Sequence, residues 1–187
     1  MAPFFLAFEG RRPQAREIVL LASLCALGVA GRAALAWAPQ CKPVIALVVV
    51  AGVALGGEAG FLTGAVTMLT SNVLFGQGPW TPWQMFAMGL IGLLAGALSR
   101  AGLLGRSRAG LCVFGFLAAI FIFGGIMNPA SALIAQRSLT WETLAAYYVS
   151  GFPMDLVQAA STAVFLWLLG VPMLEKLDRV KLKYGIA

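Results

Sequence analysis

The chain has 187 residues, of which 60% are hydrophobic and only 11% are charged, and its formal net charge is +6. Soluble domains typically carry about 25% charged residues, so this composition excludes a soluble protein and indicates an integral membrane protein. A membrane helix takes about 20 residues, so the length allows roughly six spans and leaves no room for a soluble catalytic domain. We therefore predict one all-α, six-helix membrane domain over residues 1–187.

The usual groups for metal, redox and enzymatic chemistry are scarce. The sequence contains no histidine, which removes the commonest transition-metal ligand and the commonest general base. Cys25, Cys41 and Cys112 are isolated and odd in number, so they indicate neither a CxxC site nor a disulfide framework. Nucleophile motifs and paired carboxylates are also missing from the apolar segments. We expect no enzymatic activity, no metal and no cofactor.

The first span is predicted over residues 17–37, after an N-terminal interfacial segment at residues 1–16. Ala22, Ala26 and Ala30 recur on it at intervals of four, which places them one above another on a helix. Small side chains allow two helices to approach closely in lipid. The stripe therefore predicts a helix contact, either inside this subunit or with a partner protein.

Three apolar runs follow, at residues 44–55, 59–74 and 83–98. The first of them is short for a full crossing and predicts a short or tilted span. Glycines recur at intervals of four across the first two runs, at Gly52, Gly56, Gly60 and Gly64. We interpret them as close-packing positions, because a phosphate-binding loop would need a lysine followed by serine or threonine.

Residues 72–85 interrupt the apolar sequence with NVLFGQGPWTPWQM. Glycine and proline make this segment tight and stiff, while its aromatic rings and neutral polar groups suit the binding of a ligand. The candidate ligand contacts in it are Asn72, Phe75, Gln77, Trp80, Trp83 and Gln84. The alternative is a plain interhelical turn, anchored by tryptophan at the membrane interface. On the first reading, Trp80 and Trp83 would stack on a large, flat, amide-bearing compound.

The last two spans are predicted at residues 111–127 and within residues 144–169. We expect the fifth span to end at Asn128 and Pro129, before a polar loop that reaches about Thr143. A separate turn is possible at residues 150–153, and Pro172 is expected to end the sixth span. Residues 172–187 then form a charged, amphipathic tail.

Lysine and arginine positions predict the orientation in the membrane. With six spans both termini lie on one side, and that side holds ten of the 13 basic residues: Arg11, Arg12, Arg16, Arg100, Arg106, Arg108, Lys176, Arg179, Lys181 and Lys183. Only Arg32, Lys42 and Arg137 lie opposite. Positive residues favour the cytoplasm, so both termini are predicted to be cytoplasmic. This distribution follows helix ends and not a basic stripe, so it indicates no nucleic-acid partner.

Asp155 and Gln158 share a face of the sixth span, in its outer half. A carboxylate at membrane depth is costly, and such groups face a cavity or a partner. Arg32 is the opposite charge at matching depth, so Asp155 either forms a structural pair with Arg32 or touches a ligand. Asn128 and Tyr148 belong to the same outer end, as ligand contacts or as interface anchors.

Several of these segments together resemble a known family, the substrate-binding S components of energy-coupling factor (ECF) transporters. They are Ala22 and Ala26 on the first helix, Met127 and Asn128 after the fifth, and the stretches FGQGPWTPWQM, FPMDLVQAASTAVF and PMLEKLDRVKLKYGI. The resemblance covers nearly the whole chain, and its specific parts are most similar to the cobalamin-type branch.

The resemblance implies a subunit in the plasma membrane of a prokaryote that captures a vitamin, with a corrinoid-like one favoured, from outside. It also implies docking through Ala22, Ala26 and Ala30 on a transmembrane coupling subunit, which works with two ATPase subunits. The competing hypotheses are a membrane scaffold of cell-shape machinery and a small-molecule carrier that acts alone. Ligand binding by the purified protein distinguishes the scaffold from the other two.

Overall fold

The computed structural model of the protein describes residues 15–136 and 140–185. Within them the chain is helical, without a strand, and its six helices are α1 (Ala15–Ala34), α2 (Val44–Leu55), α3 (Gly57–Phe75), α4 (Thr81–Arg100), α5 (Arg108–Gln136) and α6 (Trp141–Tyr184). By length and composition, α1, α4, α5 and α6 are long and apolar enough to cross a membrane. The prediction of an all-α membrane protein is confirmed.

Helix α2 is the central element of the bundle. It has 12 residues, and every one from Val44 to Ala54 is buried. A helix that is apolar on all sides must be enclosed by other helices, and α2 packs against α3 and α4 and also contacts α1, α5 and α6. The short second helix is therefore confirmed, and it forms the core around which the other helices are arranged.

Glycines bring α2, α3 and α4 into backbone contact. A Cβ atom built on Gly60 would lie 2.6 Å from the Cα of Gly52 and 2.6 Å from the carbonyl oxygen of Gly92. Only glycine allows this approach, and α3 packs extensively against α4. The interpretation as close-packing positions is confirmed for Gly52, Gly60 and Gly64, whereas Gly56 takes a positive φ at the turn between α2 and α3.

Helix α5 does not end at Asn128 and Pro129, as the sequence predicted, but continues to Gln136 with Pro129 inside it. Proline cannot donate to the carbonyl four residues earlier, which here belongs to Gly125. The Tyr148 hydroxyl donates to that oxygen at 3.0 Å, so the free carbonyl is satisfied from α6. A π-helical segment, Ala118–Gly124, precedes the proline. Tertiary contact thus overrides the local stop signal.

Helix α6 likewise passes through two prolines that the sequence predicted as breaks. Thr140 caps its start with a reciprocal capping box to Thr143, and Pro153 lies inside the following helical stretch. Pro172 lies two residues after a π-helical segment, Leu166–Gly170, and the helix continues through it to Tyr184. The changed hydrogen-bond register of the π-helical segment accompanies the proline, whose N–H is missing. The predicted turn at residues 150–153 and the predicted end at Pro172 are both wrong.

The first and last described turns meet at one end of the bundle, which we call the basic end. Arg16 donates to the backbone oxygen of Tyr184 at 2.9 Å, and Lys181 donates to that of Ala54 at 3.0 Å. Arg106 forms an ion pair with Asp178 at the same end. The predicted N-terminal segment falls almost wholly on residues 1–14, which lie outside the described residues, as does Arg137.

Replacing Gly92 with alanine should lower the thermal stability of the purified protein. Its new Cβ would collide with the backbone of Gly60, and overpacking of this kind costs about 1–3 kcal/mol. Gly125→Ala is the matched control, because nothing lies within 4 Å of a Cβ at that position. Melting in detergent should place the Gly92 variant well below the parent and the control at or slightly above it. Equal melting of the two variants would contradict the close-packing interpretation.

Candidate functional site

A cavity opens at the end of the bundle opposite the basic end. Its volume is about 340 Å³, within the range that holds small-molecule ligands. Residues from all six helices and from the α1–α2 connection line it: Arg32, Gln40, Lys42, Val44, Ile45, Met68, Gln84, Met88, Phe123, Met127, Asn128, Ser131, Gly151, Met154, Asp155 and Gln158. Three ionisable side chains and several amides therefore meet in one space between apolar helices.

Arg32 lies at the base of a buried hydrogen-bond network on one side of the cavity. Its Nη1 donates to Ser71 Oγ at 2.6 Å and to Asn72 Oδ1 at 2.8 Å. The Phe75 ring stacks on the guanidinium, with 5.5 Å between the guanidinium carbon and the ring centroid. These neutral groups hold the arginine in place, and no carboxylate among the described residues forms an ion pair with it.

Asn72 carries the network onward to α4. It is fully buried, and its Nδ2 donates to Thr81 Oγ1 at 3.0 Å and to Gln84 Oε1 at 2.8 Å. Asn72 itself does not line the cavity, whereas Gln84 does. The amide that the sequence predicted as a ligand contact therefore acts one step behind the cavity surface.

Asp155 faces the cavity from α6 and takes its hydrogen bond from α5. Asn128 Nδ2 donates to its Oδ2 at 2.7 Å. The helices are close here, because a Cβ on Gly124 would lie 2.6 Å from the same oxygen. Arg32 and Asp155 line one cavity but have different hydrogen-bond partners, and no ion pair joins them in the described part of the chain. The shared depth predicted from the sequence is found, without the direct pair.

Gln158 is the most buried polar side chain in the cavity lining. It is 7% exposed, and its Oε1 is buried and has no hydrogen-bond partner among the described residues. A buried acceptor without a donor costs about 1–3 kcal/mol, so Gln158 occupies this position at the expense of stability. Among the predicted site residues, Gln84, Asn128, Asp155 and Gln158 line the cavity together.

The aromatic residues of the α3–α4 connection do not line this cavity. Trp80 and Trp83 are 41% and 40% exposed, and Trp80 lies against Gly78. Gln77 is exposed and donates to the backbone oxygen of Leu69 at a long 3.5 Å. Tyr148 lines a separate depression that shares Asp155 with the cavity. The structure therefore groups three of the predicted amides, Gln84, Asn128 and Gln158, around the cavity, but not Gln77 or the tryptophans.

Sequence reasoning missed Gln40, Lys42 and Ser131, and also the sulfur-rich part of the lining. Four of the seven methionines line the cavity: Met68, Met88, Met127 and Met154. Methionine is flexible and polarizable and is common at binding surfaces. Burial, reinforced by the nearby Arg32, lowers the pKa of Lys42, which donates to the backbone oxygen of Ala38 at 3.1 Å. The available signal was the position of Lys42 among the few basic residues predicted to lie outside.

The alanine stripe on α1 is exposed. Ala22, Ala26 and Ala30 all face outward, while Leu24, Cys25 and Gly28 turn toward the bundle. Packing inside this subunit, one of the two alternatives predicted for the stripe, is therefore not what these alanines do. They leave a smooth surface on the outside of the molecule.

One family model matches the chain, over residues 14–177, and it is described as "ECF-type riboflavin transporter, S component". No curated protein and no solved structure matches. The family agrees with the S component resemblance of the sequence but is described by riboflavin, so the cobalamin-type branch is not confirmed.

Asn128→Ala should destabilise the protein by about 1–3 kcal/mol, because it removes the donor from a partly buried Asp155 oxygen. The loss should shrink in an Asp155→Ala background, where that oxygen is absent. Thermal unfolding of the single and double variants measures the coupling. Arg32→Ala is the matched control for the same cycle, and it should add to Asp155→Ala without coupling. Strong coupling between Arg32→Ala and Asp155→Ala would instead indicate that the two side chains interact directly.

Proposed function

Because the chain belongs to the family of ECF-type riboflavin transporter S components, we propose that it captures a vitamin in the cavity between Arg32 and Gln158. S components are non-catalytic, substrate-binding membrane subunits, and they associate with ECF coupling and ATPase subunits. Membership in the family disfavours both a cell-shape scaffold and a carrier that acts alone.

The cavity is the observation that supports this function best. Polar and ionisable groups inside a membrane bundle are expensive, and they mark substrate pathways by default. Here Arg32, Asp155 and Gln158 line one space of about 340 Å³. A protein with only a scaffold role has no use for an unsatisfied polar cavity.

Riboflavin is the first substrate to test. The family model is described by it, and a cavity of about 340 Å³ suits a compact vitamin better than a corrinoid, which is several times larger. Methionine and phenylalanine side chains offer apolar contact for a ring system, and the amides offer uncharged hydrogen bonds. These features favour a neutral heterocycle of flavin size.

The direction of capture follows from the distribution of charge. The basic end carries Arg16, Arg106 and Lys181, and positive residues favour the cytoplasm. We propose that six crossings place this end and both termini in the cytoplasm of a prokaryotic cell. The cavity then opens outward, toward the substrate.

The exposed alanine stripe is the proposed docking surface for the coupling subunit. Helix association in lipid relies on close packing of small residues, and Ala22, Ala26 and Ala30 offer a flat face for it. Energy for import would come from the two ATPase subunits bound to that partner.

The purified protein in nanodiscs should quench the fluorescence of riboflavin, and its own tryptophan emission should change on binding. Gln158→Leu should weaken binding at least about tenfold, because it removes a polar amide group from the cavity lining. Trp83→Ala is the control outside the cavity and should stay within about threefold of the parent.

The same titration with cobalamin and other vitamins tests the size argument. Failure of every compound to bind would refute the proposed function. Loss of binding in Trp83→Ala with parental binding in Gln158→Leu would move the site to the α3–α4 connection.

Replacing Ala22 and Ala26 together with leucine should abolish co-purification with the coupling subunit and uptake into cells. Vitamin binding should be unchanged, because the stripe lies outside the cavity lining. Ala160→Leu is the matched control, since Ala160 is an exposed alanine on α6. Assembly of a normal complex by the double variant would exclude the stripe as the docking surface.

A further inference from the structure

The chemistry of arginine determines the orientation of two amides beside the cavity. Arginine has donors and no acceptor, so the Asn72 atom 2.8 Å from Arg32 Nη1 is the oxygen. The Asn72 nitrogen is then the atom that faces Gln84 at 2.8 Å, and the Gln84 atom that receives this hydrogen bond is its oxygen. One charged donor therefore fixes the direction of two successive amide groups.

This relay leaves the Gln84 side chain with its nitrogen available. Its oxygen is held by Asn72, so the group that Gln84 can offer to the cavity is the Nε2 donor. Arg32 and Lys42, which line the cavity with it, also carry only donors. We call these three residues the donor wall.

The side of the cavity that α6 supplies has the opposite character. Asp155 is an acceptor, with one oxygen already bound to Asn128 at 2.7 Å. Gln158 lies beside it, but its amide oxygen is buried behind the cavity surface and has no partner within the described residues. The acceptor that α6 presents to the cavity is therefore Asp155.

We propose that the cavity selects its ligand by this polarity, with Asn72 as the positioning residue that sets the direction of Gln84. The ligand places carbonyl or ring-nitrogen acceptors against the donor wall and N–H or O–H donors against Asp155. This inference rests on the proposed function and names the class of ligand, a neutral heterocycle with carbonyl groups on one side and hydrogen-bond donors on another. Ligands that carry only acceptors, such as phosphates and dicarboxylates, meet the Asp155 carboxylate and are rejected.

Asn72→Asp reverses the relay with almost no change in shape. Aspartate accepts from Arg32 and also from Gln84, so Gln84 turns its nitrogen toward residue 72 and presents its oxygen to the cavity. Riboflavin binding should weaken at least about tenfold. In a Gln84→Met background, which has no amide to turn, the same substitution should change the affinity less than about threefold. Gln77→Glu is the matched amide-to-acid control at the same end of the bundle, outside the cavity lining.

Titrations of riboflavin into the parent, both single variants and the double variant in nanodiscs measure the effect, with melting curves to establish folding. Should Asn72→Asp fail to fold, Gln84→Glu places an acceptor in the cavity directly, and the same tenfold loss is expected. Equal effects of Asn72→Asp with and without Gln84, or parental binding by Gln84→Glu, would overturn the relay and leave the proposed function intact. If the parent binds another vitamin from the panel, that compound becomes the probe. A parent that binds none refutes both.

Discussion

The close approach of α2, α3 and α4 is the constraint on which the rest of the molecule depends. Lipid tails are as apolar as leucine, so helices in a membrane gain stability from packing and not from the hydrophobic effect between them. Glycines at the crossing let the backbones touch, with Gly60 between Gly52 and Gly92. This contact fixes the relative register of α3 and α4. It therefore also fixes the distance between Asn72 on one helix and Gln84 on the other, which the cavity requires.

The other half of the molecule is built on irregular helices. Both α5 and α6 contain π-helical segments and internal prolines, and these release backbone groups that must be satisfied inside the membrane. Tyr148 satisfies the Gly125 carbonyl, and glycine at position 124 lets Asp155 approach Asn128. π-Helical segments are frequent at functional sites. Here the π-helical segment of α5 ends at Gly124, one turn before Asn128, whose amide lines the cavity.

Much of this architecture could be predicted from the sequence. The apolar runs predicted six helices, and the isolated run at residues 44–55 predicted the short α2, because composition and length decide these features locally. Helix ends were less predictable. From the sequence alone, Pro129 and Pro172 predict helix ends. The helices continue because of the Tyr148 hydroxyl and the π-helical turns, which depend on the three-dimensional structure.

The candidate site divides along the same line. Polar residues at membrane depth could be found from the sequence, because a polar side chain inside an apolar segment is costly wherever it packs. Asn128, Asp155 and Gln158 line the same cavity. The direction of an aromatic side chain in a connection depends on tertiary contacts, and Trp80 and Trp83 do not line the cavity. The partner of Arg32 was also beyond reach, since charge alone suggested Asp155 whereas the fold supplies Asn72.

Helix α1 connects the two surfaces that the proposed function requires. Its outer face carries the alanine stripe, and Arg32 near its last turn is tied to α3 through Ser71 and Asn72. Any shift of α1 relative to α3 must either carry these charge-assisted hydrogen bonds along or break them, and such bonds are about twice as strong as neutral ones. Only Nη1 of Arg32 makes these bonds, so a ligand can accept from Nε or Nη2 without breaking them. The proposed cavity contact and the proposed docking face therefore belong to one helix, which α3 holds in place through the same guanidinium group.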